Sequence, residues 1–173
     1  MNKPCKDRNS SAYLELFFPI HYKVGIAIED TLRSEALSRQ QTCILWMIRS
    51  KGIDGESMRR KDIEKALQSW FEVSSSAVSK ALRALCKPPL ELITMVEDPA
   101  SGREKLVSLT PEGKRFLSGA IANGVELMDW MTSQLTDDEI KQGIRFLTRV
   151  SEIFETLPQG ARDRSPNRKS VED

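Results

Sequence analysis

The residues from Val73 to Lys87 follow the pattern of a short amphipathic helix. At about 100° per residue, apolar and polar positions separate onto opposite sides of such a helix. The apolar side carries Ala77, Val78, Ala81, Leu82 and Leu85, and the polar side carries Ser76, Ser79, Lys80, Arg83 and Lys87. Ser74 or Ser75 would cap the first turn by accepting a backbone hydrogen bond. The apolar side predicts packing on a scaffold, whereas the polar side is either a solvated surface or a surface that binds a partner.

Two more helices are predicted upstream. Ser38 followed by Gln41 matches a capping box and opens a helix that runs to about Arg49. Its buried side is predicted to hold Ile44, Leu45 and Ile48, with Trp46 and Met47 partly available to neighbours. The next helix runs from about residue 59 to 70 or 71, and its predicted buried positions are Ile63, Ala66, Leu67 and Trp70. A short turn then leads into the helix at Val73, which predicts a helix-turn-helix.

The second of these helices begins with three cations, Arg59, Arg60 and Lys61. The helix dipole disfavours a positive charge at this end by roughly 0.3 to 1 kcal/mol for each residue. A phosphate partner would relieve the repulsion, and so would screening by nearby carboxylates and solvent. Both explanations remain open at this point.

A β-hairpin is predicted after Lys87, because the Pro88-Pro89 pair cannot continue a helix. Residues 90–96 and 105–109 are rich in Leu, Ile, Val and Thr, and a charged turn separates them. Two strands alone would be marginally stable, so the hairpin is expected to lean on the helices.

Two long helices are predicted at the C-terminal end. Thr110-Pro111-Glu112 is typical of a helix start, and Thr136 with Glu139 forms a second capping box. The first helix carries an apolar stripe of Phe116, Ala120, Leu127 and Met131, and the second carries Ile140, Ile144, Leu147 and Phe154 up to about Thr156. Residues 158–173 hold many charges and few apolar side chains, which predicts disorder.

The N-terminal end contains an apolar segment after a polar, loose start over residues 1–11. Five large side chains there are too apolar to be left in water: Tyr13, Leu14, Leu16, Phe17 and Phe18. Pro19 suits the first position of a helix that continues to about Arg33. Contact with a second chain and burial within one chain explain this segment equally well.

The composition excludes several classes of protein. The chain has 173 residues and a net charge of +1, as expected for one ordinary domain with a core. His21 is its only histidine, which excludes a histidine-based catalytic triad or metal cluster, and no glycine loop for phosphate is present. We therefore predict no enzyme, no cofactor and no metal. The apolar stretch from residue 14 to 28 is broken by charges and Pro19, so we expect no membrane span and a cytoplasmic protein.

Three cysteines, Cys5, Cys43 and Cys86, are too few and too widely spaced for a disulfide framework. We expect free thiols. Oxidation sensing by Cys43 or Cys86 is one interpretation, and a buried, inert thiol is the other.

Four segments together resemble the MarR family of bacterial transcription regulators. They are LSRQQ at residues 37–41, DIEKAL at 62–67, VSSSAVSKALRAL at 73–85 and DPASGREKLVSLTPEG at 98–113. The resemblance implies a mainly α fold: a winged helix-turn-helix, built from a three-helix core and a β-hairpin wing, with N- and C-terminal dimerisation helices. It divides the chain into an arm and dimerisation helix (1–36), a DNA-binding core (37–110), dimerisation helices (111–157) and a disordered tail (158–173).

The resemblance also implies a function. A homodimer would bind a near-palindromic operator, with one recognition helix per subunit in the major groove and half-sites about 10 base pairs apart. The implied base-reading residues are Ser74, Ser75, Ser76, Ser79, Lys80 and Arg83, with Lys87 on the same face. The implied backbone contacts are Arg59, Arg60, Lys61 and Lys105, and Arg103 is the implied wing arginine. We predict that the protein is a repressor. A small aromatic effector would bind in a pocket between the dimer helices and the core and would release the repressor from its operator.

The chain departs from the family pattern at three places. The pattern usually has two adjacent arginines in the wing after an aspartate, whereas here Ser101 and Gly102 precede a lone Arg103. Residues 68–72 add about one turn before the recognition helix, and residues 87–91 replace a glycine-bearing turn. The missing wing arginine and the modest local excess of positive charge keep an alternative open, a winged-helix module whose basic face binds an acidic protein.

Overall fold

The computed structural model describes residues 10–33, 35–99 and 101–157. Of the predicted loose start over residues 1–11, residues 1–9, which include Cys5, lie outside the described residues, whereas Ser10 and Ser11 belong to the first helix. The predicted disordered tail at 158–173 also lies outside the described residues. In chain order the elements are α1 (Ser10–Pro19), a π-helical segment (Ile20–Gly25), α2 (Ile26–Arg33), α3 (Arg39–Lys51), β1 (Ser57–Arg59), α4 (Arg60–Trp70), α5 (Ser75–Cys86), β2 (Ile93–Glu97), β3 (Lys105–Leu109), α6 (Pro111–Thr132) and α7 (Asp137–Thr156). The predicted mainly α architecture with a small sheet is confirmed.

The N-terminal segment is helical from Ser10 to Arg33, with a π-helical segment after Pro19. The prediction that Pro19 begins a helix is wrong, because Pro19 is the last residue of α1 and lies inside the helical run. A proline lacks the N–H that an α-helix requires and its ring clashes with the preceding turn. The π-helical segment begins directly after Pro19.

The core is formed mainly by α3, α4 and α5. It contains Ile44, Leu45, Met47 and Ile48 of α3, Ile63 and Leu67 of α4, and Val78, Leu82 and Leu85 of α5. Met47 is fully buried, contrary to the prediction, because α3 packs against helices and strands on several sides and its buried face is wide. Trp70, predicted to be buried, is half exposed at the end of α4, where its ring lies against the Lys51 ammonium.

The sheet has three antiparallel strands in the order β1-β3-β2. The predicted hairpin corresponds to β2 and β3, with Met95 opposite Val107 and Met58 of β1 on the other side of Val107. The sequence analysis missed β1, which has three residues and buries only Met58 among them. This third strand joins the hairpin to the connection between α3 and α4.

The predicted helix caps are confirmed. Ser38 and Gln41 form a reciprocal capping box at the start of α3, and Thr136 and Glu139 do the same for α7. Ser74 rather than Ser75 caps α5, since its side chain accepts a hydrogen bond from the Ala77 backbone N–H.

The segment from Thr110 to Gly113 attaches α6 to the sheet. The Thr110 hydroxyl accepts from the Gly113 N–H at 2.9 Å and donates to the Glu91 carbonyl at 2.7 Å. Gly113 lies against the backbone of Leu92. A Cβ atom on Gly113 would be only 2.0 Å from the Leu92 carbonyl oxygen. The position therefore requires glycine because of close backbone approach.

The chain divides into two compact units at Leu127. The first unit contains the helices and strands from α1 to most of α6. The second begins at Met128 and contains the end of α6 and α7, and no residue of α7 is buried. The predicted domain boundaries at residues 36, 110 and 157 stay predictions.

We expect Gly113→Ala to lower the free energy of unfolding by about 1 to 3 kcal/mol, because the added methyl group forces α6 away from Leu92. Gly119→Ala is the matched control in the same helix. Nothing lies within 4 Å of a Cβ there, so alanine should stabilise the protein by roughly 0.5 to 1 kcal/mol. Urea unfolding followed by circular dichroism measures both. Equal stability of the two variants would show that the close approach at Gly113 is unimportant.

Candidate nucleic-acid interface

The polar side of α5 faces outward because the apolar side is committed to the core. Val78, Leu82 and Leu85 are buried, whereas Lys80 and Arg83 are exposed on the opposite side. Burial of one helix face sets the rotation of the whole helix. The predicted separation of the two faces is confirmed, and the basic face is accessible to a partner.

Six of the eight predicted contact cations have unpaired side chains among the described residues. Lys61, Lys80, Arg83, Lys87, Arg103 and Lys105 are exposed. Among the described residues, no partner forms an ion pair or a hydrogen bond with any of these six side chains. Such cations are available to an anionic partner without breaking an existing contact.

Arg60 is different, because it bridges α4 and α5. Its Nη2 atom lies 3.3 Å from Glu64 Oε2 and donates a hydrogen bond of 2.9 Å to Ser79 Oγ. The Ser79 hydroxyl donates in turn to the Ser75 carbonyl at 2.8 Å. The Ser75 hydroxyl donates to Glu64 Oε1. The predicted contact residues Arg60, Ser75 and Ser79 therefore already have partners within the chain.

The other two serines at the start of α5 contact each other. The hydroxyls of Ser74 and Ser76 are 2.8 Å apart, and that of Ser74 also caps the helix. Both side chains are exposed. The Ser74 side chain caps the helix, whereas the Ser76 side chain does not.

Arg59 holds the base of the wing. Its Nε atom lies 3.0 Å from Asp98 Oδ2 and 3.6 Å from Glu104 Oε2, so it contacts the two carboxylates that flank the wing loop. The hydrogen bond to Asp98, together with the charges of Asp98 and Glu104, raises the pKa of Arg59. Asp98 is 5% exposed, and removal of Arg59 would leave its buried carboxylate without this partner. Arg59 thus has a positioning task within the chain.

The wing loop closes on backbone hydrogen bonds. The N–H groups of Ser101 and Gly102 donate to the Asp98 carbonyl at 3.1 and 2.8 Å. Gly102 has φ +62°, a left-handed conformation that glycine adopts more readily than other residues. Arg103 follows and is exposed.

The extra turn before α5 lengthens α4. That helix continues to Trp70, and residues 71–74 form an extended connection. Phe71 and Val73 of the connection are partly buried against the core. The connection is consequently anchored by apolar contacts at alternate residues.

Both described cysteines have partly buried thiols. Burial raises the pKa of Cys43 to about 11, with a smaller contribution from the charge of Glu29, and burial also raises the pKa of Cys86. The thiolate is the reactive form of cysteine. At neutral pH both thiols are protonated, which favours the inert interpretation over oxidation sensing.

A cavity of about 330 Å³ lies between the first half of α6 and the end of α3. Its lining includes the apolar residues Leu109, Leu117 and Ile121, the cations Arg49 and Lys114, and the carboxylates Asp54 and Glu56. Lys114 is paired with Glu56, whereas neither Arg49 nor Asp54 has an ion-pair partner among the described residues. The cavity combines an apolar wall with side chains of both charges.

Asp98 is a functional partner that was not predicted, whereas Glu64 is one of the nearby carboxylates that were expected to screen the cations at the start of α4. Glu64 follows Arg60 by four residues on a helix, a spacing typical of ion pairs, and the two side chains pair. Asp98 is 39 residues from Arg59 in the chain, and no local pattern joins them.

Neither a metal site nor a membrane span is found in the part of the chain that the structure describes. No group of three or more metal-ligating side chains comes together there. No described helix is long and apolar enough to cross a bilayer.

Comparison with known proteins identifies the domain around α5. Residues 37–113 match the family model of a winged helix DNA-binding domain. No curated protein sequence matches the chain.

Several solved structures share the fold. MepR, a transcription regulator of the Staphylococcus aureus multidrug efflux pump MepA, is 24% identical, with a TM-score of 0.63 over 82% of this chain and 98% of that protein. The transcriptional regulator Tm0710 from Thermotoga maritima is 19% identical, with a TM-score of 0.60 over 84% and 95%. Wild-type MarR from E. coli is 22% identical, with a TM-score of 0.59 over 79% and 93%. These likenesses confirm the predicted architecture.

Proposed function

We propose that this chain, a winged helix DNA-binding protein with the MarR fold, acts as a homodimeric transcriptional repressor on a near-palindromic operator. The winged helix domain and the shared fold support a transcriptional regulator rather than an enzyme. The observation that carries the proposal is the exposed face of α5, on which Lys80 and Arg83 have no partner within the described residues.

The geometry supports major-groove binding by α5. The major groove admits an α-helix, and arginine and lysine side chains bind guanine edges there. We assign base recognition chiefly to Ser76, Lys80 and Arg83. Ser74 caps α5, and Ser75 and Ser79 bond side chains of α4, whereas among the described residues Ser76 bonds only the Ser74 hydroxyl. The free cations Lys61, Lys87 and Lys105 would bind phosphates and orient the domain. Arg103 at the wing would approach the minor groove.

Exposed apolar surface supports the homodimer. On α1, Leu14 and Phe18 are 71% and 66% exposed, and on α7 Ile144 and Leu147 are 62% and 60% exposed. Soluble monomers rarely leave such contiguous apolar faces in water. A second copy of the chain would cover them and place two α5 helices on a two-fold symmetric site.

The cavity beside α6 supports an effector. A volume of about 330 Å³ is at the small end of ligand pockets, which suits a molecule with one ring. Its apolar wall would contact the ring, and the Arg49 guanidinium would bind a carboxylate. We propose that a small aromatic acid binds there and releases the operator.

We expect the protein to select a preferred sequence from a library of random DNA duplexes. Arg83→Ala and Lys80→Ala should each weaken binding to that sequence by about 1 to 3 kcal/mol, because each removes a base contact. Arg115→Ala is the control, since this cation lies on α6 and is paired with Glu112. Fluorescence anisotropy measures all four proteins. Absence of any sequence preference in the unmodified protein would refute the repressor proposal and favour the module that binds an acidic protein.

We expect Leu147→Asp to convert the dimer to a monomer, because a buried charge at the interface is unfavourable. Gln142→Asp introduces the same charge on the opposite side of α7 and should leave the dimer intact. Sedimentation equilibrium distinguishes the two states. A dimer that survives Leu147→Asp, or an unmodified protein that is monomeric, would contradict the assignment of α7 to the interface.

We expect benzoate or salicylate to bind the protein and to weaken its affinity for the selected duplex. Arg49→Ala should abolish both effects while leaving DNA binding in the absence of the acid unchanged. Lys65→Ala, another exposed cation, serves as the control. Calorimetric titration combined with anisotropy provides the measurement. Binding that persists in Arg49→Ala would place the acid elsewhere.

A further inference from the structure

We propose that Glu64 is a specificity-determining positioning residue, which withholds Arg60 from DNA phosphates and fixes the start of α5 on α4. The inference rests on the proposed DNA-binding function. It assigns a role to a carboxylate on the basic face of the helix-turn-helix, where a negative charge opposes binding to DNA.

The side chain of Glu64 is more buried than those of the cations around it. It is 19% exposed, compared with 35% for the side chain of Arg60. Both carboxylate oxygens are used: Oε1 accepts from the Ser75 hydroxyl, and Oε2 pairs with the Arg60 guanidinium. A carboxylate held at both oxygens has a defined orientation, which distinguishes it from an exposed charge.

The same contacts bind two successive turns of α5. Ser75 is the first residue of α5 and bonds Glu64 directly, while Ser79, four residues later, accepts from Arg60. We call Arg60, Glu64, Ser75 and Ser79 the Glu64 clamp. The clamp adds a polar attachment between α4 and α5 to the apolar contacts that Phe71 and Val73 make with the core.

The charge of Glu64 has two consequences for phosphate binding. It neutralises Arg60, which would otherwise be a third cation beside Arg59 and Lys61 at the start of α4. It also lies beside the N-terminus of α5, where backbone N–H groups and the helix dipole attract anions. Glu64 therefore reduces binding that is independent of sequence and leaves recognition to the exposed residues Ser76, Lys80 and Arg83.

The test is the salt dependence of binding to a duplex that lacks the selected sequence. The logarithm of affinity falls with the logarithm of salt concentration, with a slope of about −0.9 for each phosphate contact. We expect Glu64→Gln to steepen this slope by about one contact, since Arg60 becomes available. Between about 50 and 200 mM salt this corresponds to an additional loss of roughly 3.5-fold in affinity. The ratio of specific to non-specific affinity should fall in parallel.

Glu72→Gln is the matched control, because it removes the same charge from an exposed residue just before α5. It should leave the slope of the unmodified protein unchanged. Arg60→Ala in the Glu64→Gln background should remove the added contact. Arg60→Ala alone should leave the slope unchanged, and this variant tests the proposal even if Glu64→Gln fails to fold.

Two results would overturn the proposal: a shallower slope in Arg60→Ala, which would mean that Arg60 already binds phosphate, or equal slopes in Glu64→Gln and Glu72→Gln. Either result is compatible with sequence-specific binding by the unmodified protein. Failure of the proposed function is different, because the unmodified protein would then show no preferred duplex.

Discussion

Burial of the apolar side of α5 is the constraint on which the remaining features of the site depend. Val78, Leu82 and Leu85 are removed from water, and each such side chain contributes about 1.5 to 3 kcal/mol to folding. This burial leaves the helix only one rotation in the core. The polar side is consequently exposed, and the choice between DNA and an acidic protein as the partner depends on what that side contacts.

The cations near α5 fall into two groups that composition does not distinguish. Arg59 and Arg60 are paired with carboxylates of the same chain, whereas Lys80, Arg83 and Arg103 are exposed and lack such pairs in the described residues. The paired cations position the wing and the start of α5. The unpaired ones supply positive charge to a partner. The positions of Asp98 and Glu64 therefore decide which of these similar side chains are paired and which are available to a partner.

The elements that were predicted well depend on residues close together in the chain. The Ser38–Gln41 and Thr136–Glu139 caps and the strand Lys105–Leu109 were found because each depends on residues close in the chain. β1 and the burial of Met47 were missed, because each depends on packing between distant segments, which hydrophobic periodicity does not describe. The π-helical segment was also missed, although it begins directly after Pro19. Trp70 is the opposite case. It lies on the apolar stripe of α4, yet its side chain is half exposed.

The sequence by itself determined that α5 has one apolar and one basic side, that Ser74 or Ser75 caps it, and that the wing precedes a capped helix. These properties follow from residue spacing along a regular helix or strand. Only the tertiary structure decided which cations remain available, because ion pairing depends on distances between segments such as Arg59 and Asp98. It also decided why Gly113 is glycine: α6 approaches the Leu92 carbonyl, and a side chain has no room there.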